Sequence, residues 1–269
     1  MDQQLLDGVQ QLVEETGAYQ CSRFRVLPPG KGTRKQVHEY VSEVDLHSEE
    51  MLLSGLHKLL PDAGTLAEET GQSGNESLYW IVDPLDGTTN FLSGLDQFSI
   101  SVSLVQDGSP VLGIVYRPQS REIYRSIKGS GLYLNGKKLL KANPQLALHQ
   151  ALIGTGFPYR SADLASAFFP CAQEVLTHCR GIRRMGSAAL DLSYVASGFL
   201  QGFWETDLKS YDVASGLLFL QESGCLVTNG QGKPYDMHRD RLLVCGWPAV
   251  QPELLKIVKE YYQPVLEAE

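Results

Sequence analysis

The sequence has few features of a secreted or membrane protein. Its five cysteines are odd in number and widely scattered, with no Cys-x-x-Cys pair, so we predict free thiols in a reducing compartment. No stretch approaches the roughly eighteen uninterrupted apolar residues of a membrane span. The N-terminus, Met1 to Gln4, lacks the positive charge and apolar block of a signal peptide. These absences predict a soluble cytoplasmic protein with no membrane partner.

Positive charge is also scarce. The chain has 23 Lys and Arg against 31 Asp and Glu, a formal net charge of −8 at pH 7. Nucleic-acid backbones are held by clustered Lys and Arg, so we expect no strong nucleic-acid binding. A small phosphorylated substrate stays possible, because bound divalent cations can invert the local field of an acidic site.

Two common kinds of site are missing from the sequence. None of the six histidines has the H-E-x-x-H or close Cys/His spacing of a zinc site. Gly154-Thr155-Gly156 matches only part of the G-x-G-x-x-G pattern that binds dinucleotides. We therefore predict neither a zinc enzyme nor a nucleotide-cofactor enzyme.

Apolar periodicity predicts a single domain, 1–269, with two halves. In the first half, 1–146, helical apolar stripes are followed by alternating strands and hairpin turns, which predicts an antiparallel-sheet half. In residues 98–104 apolar residues alternate with serines, so we expect a strand with one face in the core. In the second half, 147–269, the pattern predicts strands that alternate with helices. The fold class is therefore α/β (α+β), with layered helices and sheets.

Residues 80–91, WIVDPLDGTTNF, form the most informative segment. We expect a strand that ends at Asp83, and Asp86 follows three residues later, so a turn could aim both carboxylates at one point. Gly87 permits close backbone approach, and the N–H groups of Gly87 and Thr88 could face an anion. Magnesium binds oxygen ligands from a few carboxylates and substrate phosphate. The segment thus has the parts of a magnesium–phosphate site, although an ordinary exposed turn has the same residue types.

Three other acidic residues could join this segment. We expect Glu68 at the end of a strand and Asp212 at the start of a helix, and Asp45 completes an S-x-x-D cap that begins at Ser42. Each also has an ordinary interpretation, since acidic residues are common at helix N-termini, where they complement the helix dipole.

Taken together, these segments resemble the inositol monophosphatase family of the lithium-sensitive, magnesium-dependent phosphatase superfamily. Residues 80–91 resemble its first signature, and residues 207–216 its second, with Tyr211 where the family often has Trp. The resemblance extends in order through residues 41–45, 67–70, 154–158 and 183–192. It implies a layered α-β-α-β-α sandwich of the inositol monophosphatase and sugar phosphatase type, and a homodimer.

The resemblance also implies a role for individual residues. The metal ligands for two to three Mg²⁺ ions would be Glu68, Asp83, the Leu85 carbonyl, Asp86 and Asp212. The catalytic group would be Thr88, Asp45 and Glu68, with Thr88 and Asp45 orienting a metal-bound water that attacks phosphorus directly. The substrate contacts would be Asp86, Gly87, Thr88, Gly186, Ser187, Ala188, Glu205 and Asp212.

The substrate that the resemblance favours is myo-inositol-1-phosphate. Thr89-Asn90-Phe91 looks like the inositol phosphatase branch, and the Glu205 carboxylate can accept hydrogen bonds from polyol hydroxyls. The alternatives are fructose-1,6-bisphosphatase, 3'(2'),5'-bisphosphate nucleotidase, histidinol phosphatase, or a regulatory protein of the same fold. Lys31 or Lys35, in the loop 28–36, could close over bound phosphate, and neither is assigned.

Overall fold

The computed structural model describes residues 3–26, 33–36, 39–160 and 162–266. Lys31 lies outside the described residues, as does the side chain of Lys35. Within these ranges the helices are α1 Gln3–Arg23, α2 Glu43–Leu59, α3 Thr88–Leu92, α4 Ala165–His178, α5 Ala188–Ser197, α6 Ser210–Ser223 and α7 Gln251–Leu266. Short 3-10 turns lie at Leu148–Gln150 and Ala162–Leu164. Among these described helices, none combines the length and apolar composition needed to cross a bilayer.

The strands form an eight-stranded sheet, a five-stranded sheet and a two-stranded ribbon. The ribbon consists of β1 Thr33–Gln36 and β2 Glu39–Val41. The larger sheet consists of β3 Gly64–Ala67, β4 Gly71–Ser73, β5 Leu78–Asp86, β6 Ser99–Gln106, β7 Ser109–Arg117, β8 Glu122–Ile127, β9 Tyr133–Leu134 and β10 Lys137–Lys138. The smaller sheet consists of β11 Leu152–Thr155, β12 Gly181–Arg183, β13 Gly202–Thr206, β14 Leu226–Asn229 and β15 Leu242–Gly246.

Both sheets have long-range pairings. The eight-stranded sheet has the order β10-β9-β8-β7-β6-β5-β3-β4 and is antiparallel except for the parallel pair β3 and β5. The five-stranded sheet has the order β12-β11-β13-β15-β14, in which β11 runs parallel to β12 and β13. The first sheet comes from residues 64–138 and the second from residues 152–246. The division of the chain at residue 146 stays a prediction.

Five layers follow from how the apolar faces are covered. Helices α1 and α2 pack on the outer face of the eight-stranded sheet, and α5 and α6 fill the space between the two sheets. Helices α4 and α7 cover the outer face of the five-stranded sheet, where Phe168 of α4 stacks on the buried Trp204 of β13. This arrangement confirms the predicted α-β-α-β-α sandwich.

The start of α2 is set by the predicted S-x-x-D cap. The Ser42 hydroxyl accepts a hydrogen bond from the Val44 N–H at 3.1 Å, and Asp45 accepts one from the Ser42 N–H at 2.9 Å. These reciprocal bonds satisfy backbone donors that the first turn leaves unpaired. Leu52 and Leu56 supply the buried stripe of the helix.

The prediction that β6 has one face in the core was wrong, because both of its faces are buried. Ser99, Ser101 and Ser103 are each at most 2% exposed. The Ser101 hydroxyl bonds to the Ser215 hydroxyl of α6 at 3.1 Å, and Ser215 in turn bonds to the Val102 carbonyl at 3.0 Å. The serine face is thus covered by α6, whose close approach suits small hydroxyl side chains. The five cysteines, all within the described ranges, are free thiols.

Candidate active site

A β-bulge in β5 presents the first two acidic residues. The predicted strand end at Asp83 was wrong, since β5 continues to Asp86 with a register shift between these residues. Asp83 pairs with Ser101 and Asp86 with Ser99. Two residues of β5 therefore lie between these pairs, opposite a single residue of β6. Such a bulge bends the strand and changes the direction of its side chains. The Asp83 carboxylate accepts a hydrogen bond from the Leu85 N–H at 3.0 Å, which fixes the turn.

Asp212 meets these two residues from the start of α6. Carboxylate oxygens of Asp83, Asp86 and Asp212 all lie within 4.8 Å of one another, and the three residues are buried. The Asp212 Oδ2 atom accepts hydrogen bonds from the Lys209 N–H at 2.6 Å and from Arg160 Nη1 at 2.9 Å. The predicted helix-start position therefore places this carboxylate against the bulge.

Asp86 also ties β5 to the first turn of α5. It accepts hydrogen bonds from the Ser187 hydroxyl, from the Ala189 N–H at 2.9 Å and from the Ala188 N–H at 3.3 Å. The Ser187 hydroxyl also lies 3.2 Å from that of Ser99. The free N–H groups of α5 are thus satisfied by a carboxylate from the opposite sheet.

Thr88 and Asp45 form a hydrogen-bonded pair behind the bulge. The Thr88 hydroxyl lies 2.8 Å from Asp45 Oδ1 and 3.1 Å from the Leu85 carbonyl oxygen. Asp45 is fully buried, and its other oxygen is held by Ser42. The helix cap therefore orients the Asp45 carboxylate toward Thr88.

Two glycines allow the walls of the site to approach each other. Gly87 has φ +93°, and a Cβ there would lie 2.9 Å from the Gln97 carbonyl oxygen and 3.2 Å from that of Gly186. Gly186 has φ +87°. The Asn90 side chain donates to the Gln97 carbonyl at 2.7 Å and to the Met185 carbonyl at 2.9 Å. It thereby joins the α3 segment to the loop that precedes α5.

Residues of β5, α3, α5 and α6 border one cavity of about 280 Å³. Glu68, which follows β3, and Glu205 of β13 line it as well. Every residue predicted for the site lines the cavity except Asp45, which lies behind Thr88. The lining members of the predicted set are Glu68, Asp83, Leu85, Asp86, Gly87, Thr88, Gly186, Ser187, Ala188, Glu205 and Asp212.

The family model described as "Inositol monophosphatase family" matches residues 1–263 of the chain. The chain belongs to the inositol monophosphatase family. It is 40% identical over 224 residues to an inositol-1-monophosphatase of Mesorhizobium japonicum, covering 82% of this chain and 84% of that protein. It is 34% identical over 239 residues to the Nus factor SuhB of Pasteurella multocida, covering 88% and 87%.

A solved structure in this family has the same fold. The crystal structure of the extragenic suppressor protein suhB from Bartonella henselae superposes with a TM-score of 0.88 at 31% identity, covering 95% of this chain and 98% of that one. The inositol monophosphatase family is metal-dependent, and membership supports phosphatase activity in this chain. The cavity described above is therefore the candidate active site.

The family segments also bring residues to the cavity that sequence reasoning missed. The Arg184 guanidinium lies over the rings of Phe157 and Tyr159, at 5.5 and 5.2 Å from their centroids. Arg160 and Asp191 line the same cavity. Phe157, Arg184 and Asp191 fall within segments that resemble the family, and Arg160 lies two residues beyond the first of them. The sequence alone did not indicate which of these side chains point into the cavity.

The buried carboxyl groups of the site repel one another, which favours the binding of protons or of a cation. Burial, together with repulsion from Glu68, Asp86 and Asp212, holds the pKa of Asp83 well above its ordinary value. Burial and the neighbouring Asp212 raise the pKa of Asp86 to about 6 and that of Glu205 to about 8. The donor set at the cluster consists only of oxygen atoms, which is the set that hard cations such as Mg²⁺ prefer. The residues therefore fit a magnesium site.

Proposed function

We propose that the protein is a magnesium-dependent phosphatase that hydrolyses a small polyol monophosphate, with myo-inositol-1-phosphate as the first candidate. The observation that carries this proposal is the buried cluster of Asp83, Asp86 and Asp212, whose carboxylate oxygens lie within 4.8 Å of one another in the cavity that Thr88 lines. Three buried carboxylates so close together repel one another, and a divalent cation would remove that repulsion.

The acidic residues would hold two to three Mg²⁺ ions. Glu68, Asp83 and the Leu85 carbonyl would form one site, Asp83, Asp86 and Asp212 a second, and a third ion would lie near Glu68. When bound, the metal would supply Lewis-acid chemistry that neutralises charge on the phosphate and on the departing oxygen. Phosphoryl transfer depends mainly on positioning and charge stabilisation, so no protein nucleophile is required.

The role of Thr88 would be to orient the attacking water. With its hydroxyl hydrogen directed to Asp45 at 2.8 Å, Thr88 keeps a lone pair that can accept a hydrogen bond from water. That bond would turn the oxygen lone pair of the water toward phosphorus. Asp45 holds its orientation because Ser42 donates to it with both its N–H and its hydroxyl.

The rest of the cavity would bind the two ends of the substrate. The N–H groups of Gly87 and Thr88 would contact the phosphate, since the absence of a side chain at Gly87 leaves its backbone open to close approach. Asp86, Asp212, Gly186, Ser187, Ala188 and Glu205 would contact the alcohol. A cavity of about 280 Å³ suits a six-carbon polyol phosphate.

Phosphate release from a panel of esters tests this proposal. The panel comprises myo-inositol-1-phosphate, fructose 1,6-bisphosphate, adenosine 3',5'-bisphosphate and histidinol phosphate, each with Mg²⁺ and with increasing Li⁺. We expect the highest kcat/KM for inositol 1-phosphate, and inhibition by lithium. A much higher kcat/KM for adenosine 3',5'-bisphosphate would assign the protein to the nucleotidases. If none of the esters releases phosphate, the proposed phosphatase activity is wrong.

A second function is a candidate because several relatives have the name Nus factor SuhB. We propose, as this second function, that the chain binds a protein partner in the cytoplasm and that this binding does not depend on catalysis. Affinity capture from extract of its own cells, with and without the Asp83→Asn substitution, tests this role. We also propose a homodimer, which sedimentation velocity would detect.

A further inference from the structure

Asp191 is a buried carboxylic acid in the first turn of α5 for which the proposed catalysis has no use. The residue is 1% exposed and lines the cavity. Its Oδ1 atom is buried and has no hydrogen-bond partner among the described residues. Buried polar atoms in proteins are nearly always paired, because an unpaired one loses its bonds to water without replacement.

The local structure gives Asp191 no role as a helix cap. The N–H groups of Ala188 and Ala189 already donate to Asp86, and the Asp191 N–H bonds to the Ser187 carbonyl at 3.0 Å. A helix side chain points back toward the N-terminus of its helix, which for Asp191 is the direction of the cavity. The carboxyl is therefore directed at the space where the substrate would bind.

The charged groups that face Asp191 come from three elements. Glu205 of β13 and Asp86 of β5 repel its charged form, and Arg184 attracts it. Burial outweighs that attraction and, with the two repulsions, holds the pKa of Asp191 well above its ordinary value. Independently of this shift, the unpaired Oδ1 atom can accept a hydrogen bond from a hydroxyl group.

We propose that Asp191 binds a hydroxyl of the alcohol portion of the substrate, beside Glu205. This inference rests on the proposed phosphatase function and deepens it by assigning a specificity-determining residue. Esters whose alcohol has a hydroxyl near the phosphate-bearing carbon would satisfy the Asp191 carboxyl. Esters of hydroxyl-free alcohols would leave it unpaired, and the site would bind them less well.

The test compares two esters, inositol 1-phosphate and phenyl phosphate, whose alcohol has no further hydroxyl. For Asp191→Leu we expect the ratio of their kcat/KM values to fall about 10-fold, mainly through the KM for inositol 1-phosphate, as the loss of one hydrogen bond predicts. Asp191→Asn keeps an oxygen acceptor of nearly the same shape, so its ratio should stay within about 3-fold of the wild-type ratio. Ser193→Ala is the matched control, because this buried hydroxyl of the same helix donates a hydrogen bond to the Ala189 carbonyl at 2.7 Å and does not line the cavity.

An unchanged ratio in Asp191→Leu would overturn the assignment, as would an equal loss on both esters, which indicates a merely structural role. If the leucine variant does not fold, Asp191→Ser provides a second test. Its side chain is too short to contact the substrate hydroxyl, so we expect the same fall in the ratio of the two kcat/KM values. A wild-type protein that releases phosphate from neither of these esters nor from any ester of the panel above would overturn the proposed function itself. An active wild type with an unchanged ratio in the variants would overturn only the assignment of Asp191.

Discussion

The substitution Asp83→Asn is expected to remove activity and yet to stabilise the metal-free protein. Asp83 is 1% exposed, and its carboxylate lies within 4.8 Å of those of Asp86 and Asp212. Asparagine has almost the same shape but no charge. It therefore removes a ligand that two metal ions would share, and at the same time removes the repulsion that the cluster suffers without metal.

The magnitude follows from the geometry. Two unit charges at 4.8 Å repel by about 3.5 kcal/mol at an effective dielectric constant of about 20. Protonation limits this cost, because a carboxyl with an ordinary pKa of 3.8 can be neutralised at pH 7 for about 4 kcal/mol. The asparagine oxygen accepts a weaker hydrogen bond from the Leu85 N–H than the carboxylate does, and this loss offsets about 1–2 kcal/mol of the stabilisation. We expect a net stabilisation of about 2 kcal/mol, or about 4 °C in Tm for a chain of this size.

Thermal unfolding in EDTA and in Mg²⁺, with phosphate release measured on the same samples, checks this prediction. In EDTA the variant should melt above the wild type, whereas Mg²⁺ should raise the Tm of the wild type alone. Asp62→Asn is the matched control, because Asp62 is exposed and should leave the Tm within about 1 °C. A metal-free variant that melts at or below the wild type would refute the repulsion argument, and near-normal activity would refute the metal site.

Three further predictions concern the same region. Thr88→Val should lower kcat by about 10²- to 10³-fold with little change in KM, measured by phosphate release; near-normal kcat would remove Thr88 from the mechanism. Folding raises the pKa of Glu205 from 4.5 to about 8 and that of Asp86 from 3.8 to about 6, so the folded state binds more protons and its stability falls as pH rises across these ranges. The metal-free Tm should therefore be lower at pH 8 than at pH 5, with Mg²⁺ narrowing the difference; a flat profile would contradict this. Gly87→Ala should cost about 1–3 kcal/mol, because φ is +93° and a backbone oxygen lies 2.9 Å from the new Cβ. Gly108→Ala, at φ +74° with nothing within 4 Å, is its control, and calorimetry should show the smaller loss there.

Much of the fold could be predicted from the sequence, because its signals are local. The cap at Ser42 and the apolar stripe of α2 need only neighbouring residues, and the structure has both. The burial of Ser101 could not be predicted, since it depends on α6, which lies more than a hundred residues later in the chain. An alternating pattern indicates which face is apolar, but not whether a helix covers the polar one.

The candidate site divides in the same way. Local patterns placed Asp83 on a strand and Asp212 at the start of a helix, as the structure has them, whereas Asp86 was expected in a turn and lies in β5. The structure brings the three residues together, although their roles as ligands stay proposals. The bulge in β5 was missed because D-P-L-D has the composition of an ordinary turn. Asp191 was missed because an acidic residue in a first helical turn needs no special explanation, and only its buried Oδ1 atom, unpaired among the described residues, makes it unusual.

The close contact between α6 and the large sheet has a consequence for the position of Asp212. Asp212 stands at the start of α6, and Ser215 one turn later rests on β6 and on Gly113 of β7, where a Cβ would meet the Ser215 Cα at 3.2 Å. A methyl group added at Gly113 would crowd the Ser215 Cα, so this part of α6 would have to move by a few tenths of an ångström. The packing of α6 on β7 therefore sets how closely the start of the helix can approach the large sheet, and a residue outside the acidic cluster contributes to the position of Asp212.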